Sequence, residues 1–225
     1  MSSVLPQASL FLGVIPALIL LYISLKGYEG YYKDKTIFLT FVLGLITGFI
    51  AALIEIYTIA VGILFIVLFP LLEQLFKTMI LNLRRLQRKK ETVIYGLSLG
   101  LGFGSIFTPV SIIIANIQPE SNLVTLALTV IGSVGLILLH AATGLLVGYG
   151  VYQEKLAKYF IIALLLLLPY TGFIFITQLL EIQYLQLGLV IYGLIIYWYA
   201  TVKIMPQILA ENQPRKRSNP KIKTE

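Results

Sequence analysis

Seven long apolar runs dominate this sequence of 225 residues and limit it to one class of fold. A helix needs about 20 mostly apolar residues to cross the hydrocarbon core of a bilayer. Hydrophobic residues make up 58% of the chain and charged residues only 12%, against about a quarter charged in soluble domains. We therefore expect an all-α, polytopic membrane helical bundle with about seven transmembrane helices. The predicted spans are residues 8–25, 36–57, 60–81, 93–115, 122–150, 159–180 and 183–204.

Apart from Lys77, the basic residues lie at or beyond the ends of the predicted spans, and all on one side of the membrane. Of the 17 Lys and Arg residues, three fall in residues 26–35, five in 81–91, two in 155–158 and six in 203–223. These four segments follow odd-numbered spans and therefore share one face. Under the positive-inside rule this face is cytoplasmic. We expect a multi-pass protein of the cell membrane with its N-terminus outside and its C-terminus in the cytoplasm.

The last part of the chain differs in composition from the rest. Residues 1–205 hold the predicted spans and form the expected transmembrane domain, whereas residues 206–225 are polar and basic. We expect this tail to be disordered and held near anionic headgroups by its charge. It carries no folded basic module with aromatic residues, so we expect membrane lipids and no nucleic acid as partners. The lack of cysteine excludes disulfides, and the single histidine excludes two-histidine zinc motifs.

Glycines at intervals of four mark the predicted contacts between helices. Small residues with this spacing let two helix backbones approach closely in lipid. The pattern predicts a compact bundle in which the fourth span is central. The glycines concerned are Gly96, Gly100 and Gly104 in the fourth span, Gly44 and Gly48 in the second, and Gly144 and Gly148 in the fifth.

Ionisable residues inside spans are costly and usually face the interior of a bundle. Glu73 and Lys77 are four residues apart and share a helix face. Glu73 lies about 12 Å from the cytoplasmic end of its span and His140 about 15 Å from the end of its own, so both reach a similar depth. Glu55 lies near the outer end of the second span, where we expect no functional role.

Two interpretations of these polar residues remain open. In the first, Glu73 acts as a general base on a water molecule and His140 orients or binds a further group. In the second, Glu73 and Lys77 form an intrahelical pair, Lys77 extends toward the cytoplasmic face, and His140 bonds to a neighbouring helix.

Three short motifs, in their order along the chain, resemble those of the PrsW-type intramembrane proteases, distant relatives of the CAAX-processing proteases. The motifs are EQLFK at 73–77, GLGFGSIFT at 100–108 and HAATG at 140–144, and the segment 13–34 resembles the family's first span and charged loop. The resemblance implies a peptidase that acts on membrane-anchored proteins near the cytoplasmic face. It implies Glu73 and His140 as catalytic residues, supported by Gln74, Lys77, Phe103 and Thr108.

The motifs depart from the family pattern at three places. Gln74 stands where a second glutamate belongs, Phe107 stands where the glycine-rich helix carries a glutamate, and Gly144 replaces an acidic residue. Only Glu73 and His140 remain as ligands for the zinc ion that the resemblance suggests, whereas catalytic zinc normally takes three. A metal-free alternative is a water activated by Glu73, with Gln74 and His140 holding the oxyanion.

Three functions follow from these observations. The first is an intramembrane peptidase. The second is an inactive member of the family that binds membrane segments as an adaptor or regulator, which the missing acidic residues favour. The third is a small transporter of ions or solutes, since buried Glu, Lys and His suit a proton path. The lack of an internal repeat argues against a transporter built from repeats.

Overall fold

The computed structural model describes residues 4–114, 123–180 and 186–210. Within these ranges the chain is helical and contains no strand. A 3₁₀ helix, Ile59–Leu64, precedes the third α-helix, and a π-helix, Ala200–Ile204, follows the eighth. The α-helices are α1 Val4–Leu25, α2 Asp34–Thr58, α3 Phe65–Leu81, α4 Glu91–Ser105, α5 Phe107–Ile114, α6 Leu123–Tyr152, α7 Leu156–Leu180, α8 Gln186–Tyr199 and α9 Gln207–Ala210.

Five helical segments of the described chain are long and apolar enough to cross a membrane. A sixth apolar stretch, Leu10–Leu25 in α1, is shorter. The protein is therefore a helical membrane protein, as its composition predicts. The five segments are Asp34–Glu55, Gly62–Leu81, Val130–Tyr152, Leu156–Ile176 and Leu187–Leu209.

Two predicted spans are interrupted. The span predicted over 93–115 is divided between α4 and α5, because Pro109 has no amide proton to donate to the carbonyl of Ser105. The span predicted over 60–81 begins as the 3₁₀ helix, and Gly62 there adopts a left-handed φ of 73° that interrupts regular helix geometry.

Helix α4 is the centre of the bundle, as the glycine pattern predicted. Every residue from Thr92 to Ser105 is buried, and the helix packs between α2 and α6. A Cβ atom added at Gly96 or Gly100 would overlap the carbonyl oxygen of Gly144 or of His140 on α6. Glycine at these places therefore brings the backbones of α4 and α6 into contact.

The same close approach occurs on the opposite side of α4. A Cβ atom at Gly44 or Gly48 of α2 would overlap the carbonyl of Leu99 or of Phe103. Ser98 also donates a hydrogen bond of 2.8 Å to the carbonyl of Ile37 on α2. Helix α4 is thus held between two neighbours by direct backbone contact.

The segments that carry the basic residues meet at one end of the bundle, which we call the basic end. Three contacts join them: Lys90 over the ring of Tyr31 at 5.0 Å, Arg88 with Glu154 at 3.0 Å, and the Tyr149 hydroxyl with Gln207. Gln207 belongs to α9, which begins within the predicted tail and buries Ile208 completely. The remainder of that tail, residues 211–225, lies outside the described residues.

Replacing Gly100 with alanine tests the contact between α4 and α6. We expect Gly100→Ala to lower the free energy of unfolding by about 1–3 kcal/mol, because overpacking a close-packed interior has this cost. The measurement is thermal or denaturant unfolding in detergent micelles. Gly188→Ala on α8 is the matched control, because a Cβ atom there meets nothing within 4 Å. Equal stability of the two variants would contradict the contact.

Candidate functional site

Four buried polar side chains from two helices meet inside the bundle. Glu73 and Lys77 come from α3, and His140 and Thr143 come from α6. Lys77 Nζ lies 2.8 Å from His140 Nδ1 and donates a hydrogen bond of 2.9 Å to Thr143 Oγ1. Glu73 Oε1 lies 3.4 Å from His140 Nε2. The structure thus brings Glu73 and His140 together, as their depths predicted.

The contacts of the imidazole ring assign its proton. An ammonium group has only donors, so His140 Nδ1 accepts from Lys77 and the ring proton is on Nε2. Nε2 faces the carboxylate of Glu73, although 3.4 Å exceeds the usual length of a hydrogen bond. The neutral ring therefore stands between an acid and a base, and each charge has an opposite charge on the other side of the ring. Such pairing offsets part of the cost of burying both charges.

The second interpretation of the sequence is wrong about Lys77. Its ammonium group turns across to α6, is completely buried and does not extend toward the basic end. Glu73 and Lys77 make no direct ion pair within 4 Å, although they share a face of α3. The physical reason is that His140 and Thr143 together offer Lys77 two acceptors in the dry interior.

Aromatic rings enclose His140 on the side of α4 and α5. The ring centroid of Phe103 lies 4.9 Å from that of His140, and the ring of Phe107 stacks on it at 5.5 Å with an interplanar angle of 17°. Phe103 also lies 5.0 Å from Lys77 Nζ, in a cation–π contact. Phe103 and Phe107 thus both pack against the polar cluster, and Phe107 does so where the family pattern has an acid.

Three further positions of the motifs, Gln74, Gly144 and Thr108, have different surroundings. Gln74 is completely buried, and neither atom of its amide has a hydrogen-bond partner among the described residues. Gly144, where the family pattern has an acid, packs against the carbonyl of Gly96 and leaves no space for a side chain. The side chain of Thr108 lies outside the described part of the chain.

A small cavity borders Glu73. Its volume is about 20 Å³, which is enough for a single water molecule. Glu55 of α2 and Tyr170 of α7 line the same cavity, although depth along a straight helix placed Glu55 near the outer end of its span. No sequence signal joined Glu55 or Tyr170 to Glu73, because their helices are adjacent only in the folded bundle. The other lining residues are Phe69, Phe107, Leu136, Leu167, Thr171 and Ile174.

The arrangement does not fit the zinc ion that the resemblance suggests. In the described ranges, no three His, Asp or Glu side chains are placed to share a metal ion. His140 Nδ1 is bonded to the Lys77 ammonium, which would repel a dication at this place. The ring of Phe107 covers the face of His140. We therefore derive no chemistry through a metal at Glu73 and His140.

Comparison with protein-family models, curated proteins and solved structures finds no match to this chain. The resemblance to the PrsW-type proteases thus stays a prediction from its three motifs.

Substituting Glu73 and Lys77 singly and together tests whether these two side chains are coupled through His140. Lys77→Met leaves Glu73 as an unpaired buried charge, and we expect it to lower the free energy of unfolding by about 3–5 kcal/mol. Adding Glu73→Gln removes that charge and is expected to restore a large part of the loss. The free energy of unfolding of each variant is measured by thermal or denaturant unfolding in detergent micelles.

The exposed pair between Arg88 and Glu154 provides the control. Breaking it with Arg88→Met is expected to cost less than about 1 kcal/mol, because solvent screens exposed charges. The losses in the free energy of unfolding caused by Glu73→Gln and by Lys77→Met can be compared with that of the double variant. If the double variant shows their sum, the two side chains are not coupled through His140.

Proposed function

We propose that this protein is a PrsW-like intramembrane peptidase that cleaves membrane-anchored proteins, with Glu73 and His140 as its catalytic residues. One observation carries the proposal. The Glu73 carboxylate borders a cavity of about 20 Å³, large enough for one water, and faces His140. A base that is oriented by a second residue and lies beside a space for water suits general-base hydrolysis.

Each residue has a defined part in the proposed reaction. Glu73 takes a proton from the water, and the resulting hydroxide adds to the scissile carbonyl carbon. The oxyanion then accepts a hydrogen bond from the amide of Gln74, whose buried nitrogen has no partner among the described residues. Glu73 returns the proton to the leaving nitrogen as the C–N bond breaks. His140 keeps the carboxylate oriented, and Lys77 fixes the tautomer of His140.

Comparison of protein termini in membranes tests the activity. Cells expressing the wild type are compared with cells expressing Glu73→Gln, and new N-termini of membrane proteins are quantified by mass spectrometry. We expect the wild type to generate a set of termini that Glu73→Gln and His140→Ala abolish, because each loses the base or the group that orients it. Glu154→Gln, an exposed carboxylate at the basic end, is the control and should cleave normally.

The contacts of His140 favour a second candidate, a protein that binds membrane segments without cutting them. Phe107 stacks on the imidazole, and Gln74 replaces a carboxylate. This candidate predicts no new termini and a single-span protein that co-purifies equally with the wild type and with Glu73→Gln. Termini that depend on Glu73 would exclude it. Identical termini in the wild type, Glu73→Gln and His140→Ala would instead contradict the peptidase.

We further infer seven spans, with the N-terminus outside and the basic end in the cytoplasm. The convergence of the basic segments at one end supports this orientation.

Because the chain has no cysteine, the reactivity of single introduced cysteines can report this orientation directly. We expect a membrane-impermeant maleimide to label Thr58→Cys on intact cells, because Thr58 ends α2 and lies between the two flanking apolar segments. Arg88→Cys and Glu154→Cys should react only after permeabilisation, and their labelling on intact cells would reverse the orientation.

A further inference from the structure

A larger cavity lies at the basic end, away from Glu73 and His140. Its volume is about 450 Å³, within the range of pockets that bind small molecules. It is lined by α6, α7, α8, the π-helix and α9, and shares no lining residue with the cavity at Glu73. A ligand here would therefore be separate from the proposed peptidase site.

One wall of this cavity is apolar over a considerable length. Ile162 and Leu166 of α7, Ile196 of α8 and Leu146 of α6 all line it. Lys158 and Leu166 both line the cavity and are eight residues apart on α7, which corresponds to about 12 Å along the helix. The apolar wall thus extends from the basic end toward the middle of the bundle.

The end of the cavity nearest the loops is polar and positively charged. Gln207 accepts a hydrogen bond from the Tyr149 hydroxyl, and its amide nitrogen donates to the Lys203 carbonyl at 2.9 Å. These contacts use the polar groups of Gln207 and hold α9 beside the cavity. Lys158 is exposed there, with its Nζ 5.6 Å from the ring of Tyr159. No acidic side chain is among the lining residues, so the local charge is positive.

The π-helix shapes the third side of the cavity. The amide of Met205 bonds to the carbonyl of Ala200 at 3.0 Å, five residues back, which widens the turn. Ala200 and Ile204 from this turn both line the cavity. Short π-helical turns occur often at functional sites.

We propose that this cavity binds an anionic phospholipid of the leaflet at the basic end. One acyl chain lies along the wall formed by Ile162, Leu166 and Ile196, and the phosphate meets the ammonium of Lys158. An anionic lipid matches the cavity because its acyl chain suits the apolar wall and its phosphate suits the positively charged end. A zwitterionic lipid would bury the same chain without the net attraction, and free phosphate would leave the apolar wall uncovered.

Native mass spectrometry of the full chain provides the test. The protein is equilibrated with vesicles of equal phosphatidylglycerol and phosphatidylcholine, extracted in mild detergent, and the lipids that remain bound are counted. We expect one phosphatidylglycerol to be retained preferentially by the wild type. Lys158→Gln should lower the ratio of bound phosphatidylglycerol to phosphatidylcholine roughly fivefold, the effect of one basic residue at an anionic surface.

Two further variants separate the parts of the proposal. Lys155→Gln removes a charge three residues away that does not line the cavity, and it should leave the ratio unchanged. Ile162→Trp fills the apolar wall and should reduce retention of both lipids while Lys158 is intact. Unfolding temperatures confirm that each variant is folded.

Three results would overturn the proposal. Equal effects of Lys155→Gln and Lys158→Gln would show a general effect of surface charge. Displacement of the retained lipid by inorganic phosphate would identify a phosphate site instead. Retention that does not respond to Ile162→Trp would place the lipid elsewhere on the protein.

Discussion

The rest of the structure depends on the contact between the backbones of α4 and α6. Gly96 and Gly100 let the two helices touch at Gly144 and at the carbonyl of His140. Lipid offers no hydrophobic driving force between helices, so close van der Waals packing of this kind supplies much of the association. The contact fixes the height and rotation of α6, and therefore the place where the His140 ring meets α3.

The polar cluster shows how the bundle accommodates charge in a dry interior. Lys77 and Glu73 do not pair directly but reach the two nitrogens of one imidazole. The ring accepts on one side and presents a proton on the other, so a single neutral group serves both charges. Glu73 also lines a water-sized cavity beside this ring.

Patterns within single helices were predictable from the sequence, whereas contacts among several helices were not. The length of the apolar runs predicted the helices, and the spacing of the glycines predicted the central position of α4. The distances of Glu73 and His140 from the ends of their spans predicted that the two residues lie at a similar depth. The break between α4 and α5 had a visible signal in Pro109 that the length of the apolar run concealed. The position of Glu55 beside Glu73 had no such signal, because it depends on how five helices pack around one cavity.

The position of Lys77 has a consequence for how the chain enters the membrane. Its partner His140 lies 63 residues further along the chain, so α3 emerges from the ribosome long before that partner exists. Lys77 lies four residues from the end of α3 at Leu81, and long basic side chains near helix ends extend to the interface when they have no partner in the interior. The buried position of Lys77 therefore depends on α6, and not on α3 alone.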